Sequence, residues 1–243
     1  MTGRWFADIC SGAGGVAKAV RSRGFRSVEW DTLFGSAYDV GLRRNQRSIA
    51  ADIKAGRIFG VMLAPPCSSF SLARTRNSVI RTKENPWGIS GLDDRLQKQV
   101  EDGNRVMRAC IYLFTACQRT GVPAAFEQPS TSYALQTPEI LALVELPNVV
   151  SLLIDFCAYG TRWRKRTRLI LCNVDADDIE RLRRRKCTGT DGVCCFTGMR
   201  HFELAGRNVQ NVLWTQIAQP YPNKLNADLA FVLTDCERAR QCT

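Results

Sequence analysis

The run Ile58-Phe59-Gly60-Val61-Met62-Leu63-Ala64 carries no polar side chain and stops abruptly at Pro65-Pro66-Cys67. A strand with one wet face alternates apolar and polar residues, so a strand without alternation must be covered on both faces, as in the middle of a parallel sheet. Parallel neighbours need crossover helices, and the rest of the chain supplies them. Residues 4–10 read as an apolar strand ending in the glycine-rich turn Cys10-Ser11-Gly12-Ala13-Gly14-Gly15, and a helix over about 16–23 follows, stopped by Gly24. Ser27–Asp31 reads as a second strand, and a helix is expected over about 33–42. After the run 58–64, residues 71–103 are polar without a clear period, and a helix is expected from about Asn104 to Arg119. Val122–Glu127, Val149–Asp155 and Arg168–Cys172 read as further strands, and about 224–233 as a closing amphipathic helix. The pattern predicts an α/β fold of Rossmann-like type, a mainly parallel doubly wound sheet, with a small irregular segment over 174–212.

The 243 residues suffice for one sizeable α/β domain. The 34 Lys+Arg against 23 Asp+Glu leave +11, which favours a polyanion as partner, because basic side chains release counterions from phosphates. Apolar runs are too short for a membrane-spanning helix, which needs roughly 20 residues. The beginning Met1-Thr2-Gly3-Arg4-Trp5 has no signal-peptide character. Eleven cysteines, an odd number in a long chain, read as reduced thiols of an intracellular protein. The expected location is the cytoplasm or nucleoid in a prokaryote or phage, and the nucleus in a eukaryote. A monomer is expected, with no membrane partner.

Four features suit a nucleoside ligand. Glycines after the first strand let the backbone approach it, and the following helix N-terminus adds partial positive charge. Glu29, ending the second strand, can accept hydrogen bonds from ribose hydroxyls. Trp30 can stack on an adenine, and Asp52, in Ala51-Asp52-Ile53, can accept from its amino group. Each has a duller alternative: a tight turn, a surface acid, a core Trp, a helix cap. Beyond them, Cys67 sits after a buried strand, in a turn stiffened by two prolines. Close to a helix N-terminus, such a thiol can ionise, although most free cysteines are buried and inert.

These stretches carry a resemblance. Asp8-Ile9-Cys10-Ser11-Gly12-Ala13-Gly14-Gly15 resembles the opening S-adenosylmethionine-binding motif of the cytosine-5 DNA methyltransferases, with Cys10 where that family often has Phe. Glu29-Trp30-Asp31 and Asp52-Ile53 look like its second and third cofactor motifs, and Pro65-Pro66-Cys67-Ser68-Ser69-Phe70-Ser71 is similar to its Pro-Cys nucleophile motif. Pro65 would then border the cofactor. The resemblance implies transfer of a methyl group from S-adenosylmethionine to carbon 5 of a flipped cytosine in DNA. Cys67 would add to carbon 6, while a carboxyl group offsets charge at ring nitrogen 3. Glu84-Asn85-Pro86 matches the family's acid motif letter for letter but lacks a preceding strand. Phe126-Glu127-Gln128-Pro129 departs by Gln for Asn but ends a strand, so Glu127 is chosen and Glu84 treated as a decoy. Tyr159–Arg168 looks like a diverged form of the family's arginine motif, and Arg166 is taken as the arginine that meets the cytosine carbonyl.

Residues 71–103 would form a lid, with Ser69, Arg74, Arg76, Arg81 and Lys83 gripping phosphates, helped by Arg162, Arg164, Arg183, Arg184 and Arg185. A solvated charged loop is compatible with this. Cys187, Cys194, Cys195 and His201 lie close enough to bind zinc, with Cys172 as a further possible ligand; reduced, partly buried cysteines are the alternative. Residues 1–173 would be the cofactor-binding and catalytic core, 174–212 a reduced recognition segment, and 213–243 a return to the core. Two other functions remain open on these motifs: the same chemistry on RNA, and a catalytically silent module that binds cofactor and nucleic acid. A zinc-dependent nucleic-acid binder is a third.

Overall fold

The computed structural model describes residues 3–72 and 79–241. Its centre is a six-stranded sheet in the order β2-β1-β3-β4-β6-β5. The strands are β1 (Trp5–Ile9), β2 (Ser27–Trp30), β3 (Ile58–Leu63), β4 (Ala124–Pro129), β5 (Val149–Asp155) and β6 (Arg166–Cys172). β2, β1, β3 and β4 run parallel, and β6 is reversed between β4 and β5. β3 is buried at every position, as its unbroken apolar run demands.

The helices are α1 (Gly15–Ser22), α2 (Arg43–Lys54), α3 (Asp94–Thr120), α4 (Pro138–Val144), α5 (Ala176–Arg183), the single turn α6 (Trp214–Ile217) and α7 (Asn223–Gln241). They cover both faces of the sheet. On one face, Ile49, Met107, Phe114 and Ile140 of α2, α3 and α4 pack on Ile9, Leu63 and Phe126. On the other, Val16, Val20, Leu182 and Leu229 of α1, α5 and α7 pack on Phe6, Met62 and Leu169. The α/β alternation expected from the sequence is therefore present, as a mostly parallel sheet with helices on both faces and one reversed strand. Among the described residues no helix is long and apolar enough to cross a membrane.

Helices α4 and α5 were not expected, α7 extends past 233, and two expected helices begin elsewhere. Over 32–38 the chain makes two short 3-10 turns separated by Gly35 at φ +111°, and α2 begins only at Arg43. Its inward face is Asn45, Ile49, Ala50 and Ile53, a helical spacing that a polar first member conceals. α3 starts about ten residues before Asn104, because the Asp93 carboxylate caps it by accepting from the Leu96 amide at 2.7 Å. Its first turns are largely solvated and have little apolar stripe to detect. The segment between β3 and α3 is correspondingly shorter than the loop expected over 71–103.

Arg81 holds that segment. It is 1% exposed, and it donates to the Ser69 carbonyl and hydroxyl, the Pro86 and Val100 carbonyls and the Asn104 side chain, at 2.7–3.1 Å. Its guanidinium lies 3.7 Å over the Phe70 ring. Gly103 is needed beside it, since a Cβ there would run into the Ser69 hydroxyl. Arg81 and Ser69, both expected to grip phosphates, instead bind each other inside the protein. Removing the guanidinium would strand buried acceptors. Arg81→Ala is expected to cost about 3 kcal/mol in urea unfolding and to open residues 79–93 to proteolysis. An unchanged unfolding midpoint would contradict this role.

Candidate active site

The chain leaves β1 toward β2 on one side and returns past it to β3 on the other, so a crevice opens above the C-terminal ends of β1 and β3. The turn after β1 and the turn after β3 both border it. Gly14 caps α1 at φ +64° without a side-chain cap, and Gly12 has φ +52° and open space where a Cβ would stand. Gly15 lies against the Asn226 amide of α7, and Gly14 against the Glu29 carboxylate, so neither tolerates a side chain. Cys10 adopts φ 57°, a conformation that costs a non-glycine residue energy. Ala13 is exposed on the turn. The Ser11 hydroxyl, the Trp30 indole N–H and the Asn226 side-chain oxygen are buried without hydrogen-bond partners. Unsatisfied polar atoms around a crevice are what a polar ligand would complete.

Acids line the same edge. Glu29 pairs with Arg21 at 3.2 Å, and Asp31 accepts from the Gly12 amide at 2.9 Å. Asp8, 2% exposed, accepts from the Ala17 amide at 3.0 Å and so fastens the start of α1 to β1. Burial, opposed by that amide, pushes its carboxyl from 3.8 up to about 7. Asp52 and Ile53 do not reach the crevice. A crossover helix runs antiparallel to its strands, so the last turn of α2 lies at the opposite edge, where Asp52 pairs with Arg57 at 2.6 Å and Ile53 is core. Before α2, at the crevice edge of the sheet, stands another acid, Asp39, which accepts from the Gly41 amide at 2.7 Å and from Arg105 at 2.8 Å. It lines a cavity of about 550 Å³ with Thr32, Pro66, Ser68, Gly103 and Arg105.

The second half of the site lies over β3 and β4, which pair with Leu63 opposite Phe126. Cys67 follows four residues after Leu63, and Glu127 one residue after Phe126. Gln128 ties them: its amide donates to the Pro65 carbonyl at 2.7 Å and accepts from the Ser132 hydroxyl at 2.9 Å, all buried. A turn over 68–70 follows Cys67, so among the described residues no α-helix begins directly behind the thiol. Burial and then the Glu127 charge push the thiol upward, and Lys165 opposes them. Glu127 is buried too, which raises its carboxyl against the pull of Lys165, Tyr221 and Thr167. The Tyr221 hydroxyl donates to Glu127 Oε2 at 3.0 Å, while Oε1 is buried without a partner.

Lys165, Thr167 and Tyr221 were not anticipated. Side chains alternate along β6, so Lys165 and Thr167 face Glu127 while Arg164, Arg166 and Arg168 face the other way. Arg166 pairs with buried Asp155 at 2.9 Å and donates to the Cys187 carbonyl at 2.9 Å, turned from the site it was expected to enter. Arg164 donates to the same carbonyl at 2.9 Å. Lys165 Nζ donates to the Ala218 and Gln219 carbonyls at 3.1 and 3.3 Å. The flanking prolines of Pro220-Tyr221-Pro222, like those before Cys67, were the available signal for Tyr221.

The remaining basic residues divide by exposure. Lys83, Arg162 and Arg184 are exposed, as is Arg183 beside Glu180 at 3.2 Å, whereas Arg185 pairs with Asp228 at 3.4 Å. Arg74 and Arg76 lie outside the described residues. Glu84 is exposed on the segment after β3. Cys157, Cys187, Cys194 and His201 bring their ligand atoms within 4.8 Å of one another and could hold a metal ion. Cys157 thus stands where Cys172 was expected, because Cys172 ends β6 at the far edge of the sheet. Cys195 is exposed beside the group, not within it.

Comparison of the sequence with models of protein families and with curated proteins finds no match.

Two measurements test these electrostatics. Between pH 4 and 7 the folded chain holds the Asp8 proton that the unfolded chain has released, so this group makes stability fall as pH rises. Asp8→Asn is expected to flatten that fall and to raise the melting temperature at pH 8 by several degrees. Alkylation of Cys67 by iodoacetamide, followed on its peptide by mass spectrometry, is expected to quicken several-fold in Glu127→Gln and slow in Lys165→Met. Equal rates in all three proteins would remove the charge coupling.

Proposed function

We propose that the chain is a methyltransferase that methylates carbon 5 of cytosine in DNA through a covalent Cys67 adduct. The observation that carries this reading is the convergence of a half-buried thiol with a buried carboxyl whose Oε1 has no partner, beside a glycine-lined crevice at the point where the strand order reverses. A thiol suffices for many reactions, and so does a carboxyl. A pyrimidine whose ring must accept a nucleophile while a ring nitrogen takes a proton needs both. The sequence resemblance supplies the substrate class.

Burial keeps Glu127 protonated more readily than a free carboxyl. A protonated Glu127 can give its proton to cytosine nitrogen 3. It also withdraws the negative charge that opposes ionisation of Cys67. Lys165 favours the anion of either group, so a thiolate can form without an adjacent histidine. The thiolate adds to carbon 6 and the ring electrons move toward nitrogen 3, where Glu127 supplies the proton. Once carbon 5 has taken the methyl group it gives up its proton to water, expulsion of the Cys67 thiolate restores the aromatic ring, and nitrogen 3 returns its proton to Glu127. Tyr221 holds Oε2 of Glu127 throughout, leaving Oε1 for the base.

S-adenosylmethionine would supply the methyl group. The unpartnered Ser11 hydroxyl and Trp30 N–H, with open space at Gly12, fit such a ligand. Ser11, Gly12, Gly14 and Gly15 would border it, with Asp8 fixing the helix start, Glu29 and Asp39 as acids for its hydroxyl and amino groups, and Pro65 closing the far side. Exposed Lys83, Arg162, Arg183 and Arg184 are available to phosphates.

The test is transfer of labelled methyl from S-adenosylmethionine to cytosine-containing duplex DNA, with structured RNA in parallel. Wild type is expected to methylate DNA, Cys67→Ala to be inactive, and Glu127→Gln to lose roughly 100-fold or more. Transfer to RNA alone would move the substrate. A Cys67→Ala protein as active as wild type would overturn the mechanism.

A further inference from the structure

Away from this site, three cysteines form a buried cluster of their own where β5 leaves the sheet: Cys157, Cys187 and Cys194, each at most 2% exposed. Cys157 stands in the short 3-10 turn Phe156–Tyr159 after β5. Cys187 follows the basic run after α5. Cys194 and His201 belong to a tight hairpin in which Val193 pairs with Arg200 and the His201 amide donates to the Gly192 carbonyl at 2.7 Å. Elements distant in sequence thus deliver three thiols and an imidazole to one point, all four ligand atoms within 4.8 Å of one another.

We propose that Cys157, Cys187, Cys194 and His201 bind one Zn²⁺ in a closed structural site. Three thiolates and one imidazole are a tetrahedral zinc donor set, and with Zn–S bonds of about 2.3 Å the ligand atoms stand about 3.8 Å apart. Cys187 Sγ and His201 Nε2 are 3.8 Å apart. The four protein ligands leave no open position, which separates a structural from a catalytic zinc. Cys195 Sγ lies 3.6 Å from Cys187 Sγ, but it is exposed and accepts the Thr188 amide, so it stands outside the set.

The metal joins two parts of the chain. Cys157 belongs to the sheet corner, and the other three ligands to residues 187–201, which have almost no regular structure of their own. Ligation fixes more than a thiol. The Cys187 amide donates to Asp155 at 2.7 Å, and its carbonyl receives both Arg164 and Arg166. Those arginines flank Lys165. The zinc therefore holds the arm that presents Lys165 to Cys67 and Glu127. That last consequence rests on the function proposed above, whereas the metal assignment does not.

Metal content of the purified full chain, prepared under reducing conditions, tests the assignment without reference to activity. One zinc per chain is expected in wild type and in Cys195→Ala, and a loss of at least about 80% in Cys157→Ala and His201→Ala. Because Cys157→Ala empties a buried position, Co²⁺ is also titrated into the metal-free wild type. Tetrahedral d–d bands with thiolate charge-transfer absorption, saturating at one equivalent, are expected. Absence of stoichiometric zinc together with absence of these bands would overturn the site. Loss of metal in Cys195→Ala with retention in Cys157→Ala would overturn the ligand set. Removal of zinc by chelator is expected to expose residues 187–217 to protease, and an unchanged cleavage pattern after removal would overturn the clamp.

Discussion

The hydrogen bond from the Gln128 amide to the Pro65 carbonyl holds the two halves of the site in one geometry. Pairing of β3 with β4 ends at Leu63 and Phe126, short of both Cys67 and Glu127. Beyond it, the ladder of β4 with β6 still holds Glu127 opposite Leu169, but Cys67 is placed by the contacts of its own turn. Gln128 is fully buried, and Ser132 satisfies its other end. A buried amide with both ends satisfied has few alternative positions, since leaving either end unpaired costs about 1–3 kcal/mol. Pro65 and Pro66 restrict the same turn from the backbone side. Glutamine is one methylene longer than the asparagine of the resembling motif, and it still spans the gap.

Low dielectric shapes what this geometry can do. Asp8, Cys67 and Glu127 all lose water on folding, and in each the neutral form is favoured over its usual range. The resting site therefore gathers protons rather than charges. Lys165 is the cation that acts on both Cys67 and Glu127.

Alternation along β6 links the site to the metal-binding corner. Even-numbered Arg164 and Arg166 hold Asp155 and the Cys187 carbonyl, while odd-numbered Lys165 and Thr167 approach Glu127. Asp155 is fully buried, and its charge is acceptable only because two guanidinium groups and the Cys187 amide surround it. A slip of one residue would send the arginines to the thiol and the lysine to Asp155. The ion pairs thus fix the register of the segment as well as its place.

Much of the framework was determined by sequence alone. Unbroken apolar runs specified central strands, glycines specified the turn after β1, and prolines marked the Cys67 turn, because each depends on the chain within a few residues. The placement of Glu127, and not Glu84, at the tip of a strand was also legible, since only Glu127 follows an apolar run. What depends on distant residues was not. Helix α2 was hidden because Asn45 occupies one of its inward positions, and Asp52 read as a ligand acid until the direction of α2 put it at the wrong edge. Arg166 and Lys165 could not be told apart, because one residue of register reverses which face each occupies and Asp155 sets that register. Arg81 read as a phosphate clamp, since nothing nearby in sequence foretells acceptors converging from 69, 86, 100 and 104. Cys157 joined the metal-binding group only in space, 30 residues before Cys187. Local conformation is written in neighbouring residues, but burial, charge environment and ligand sets come from elements that meet only when the sheet closes.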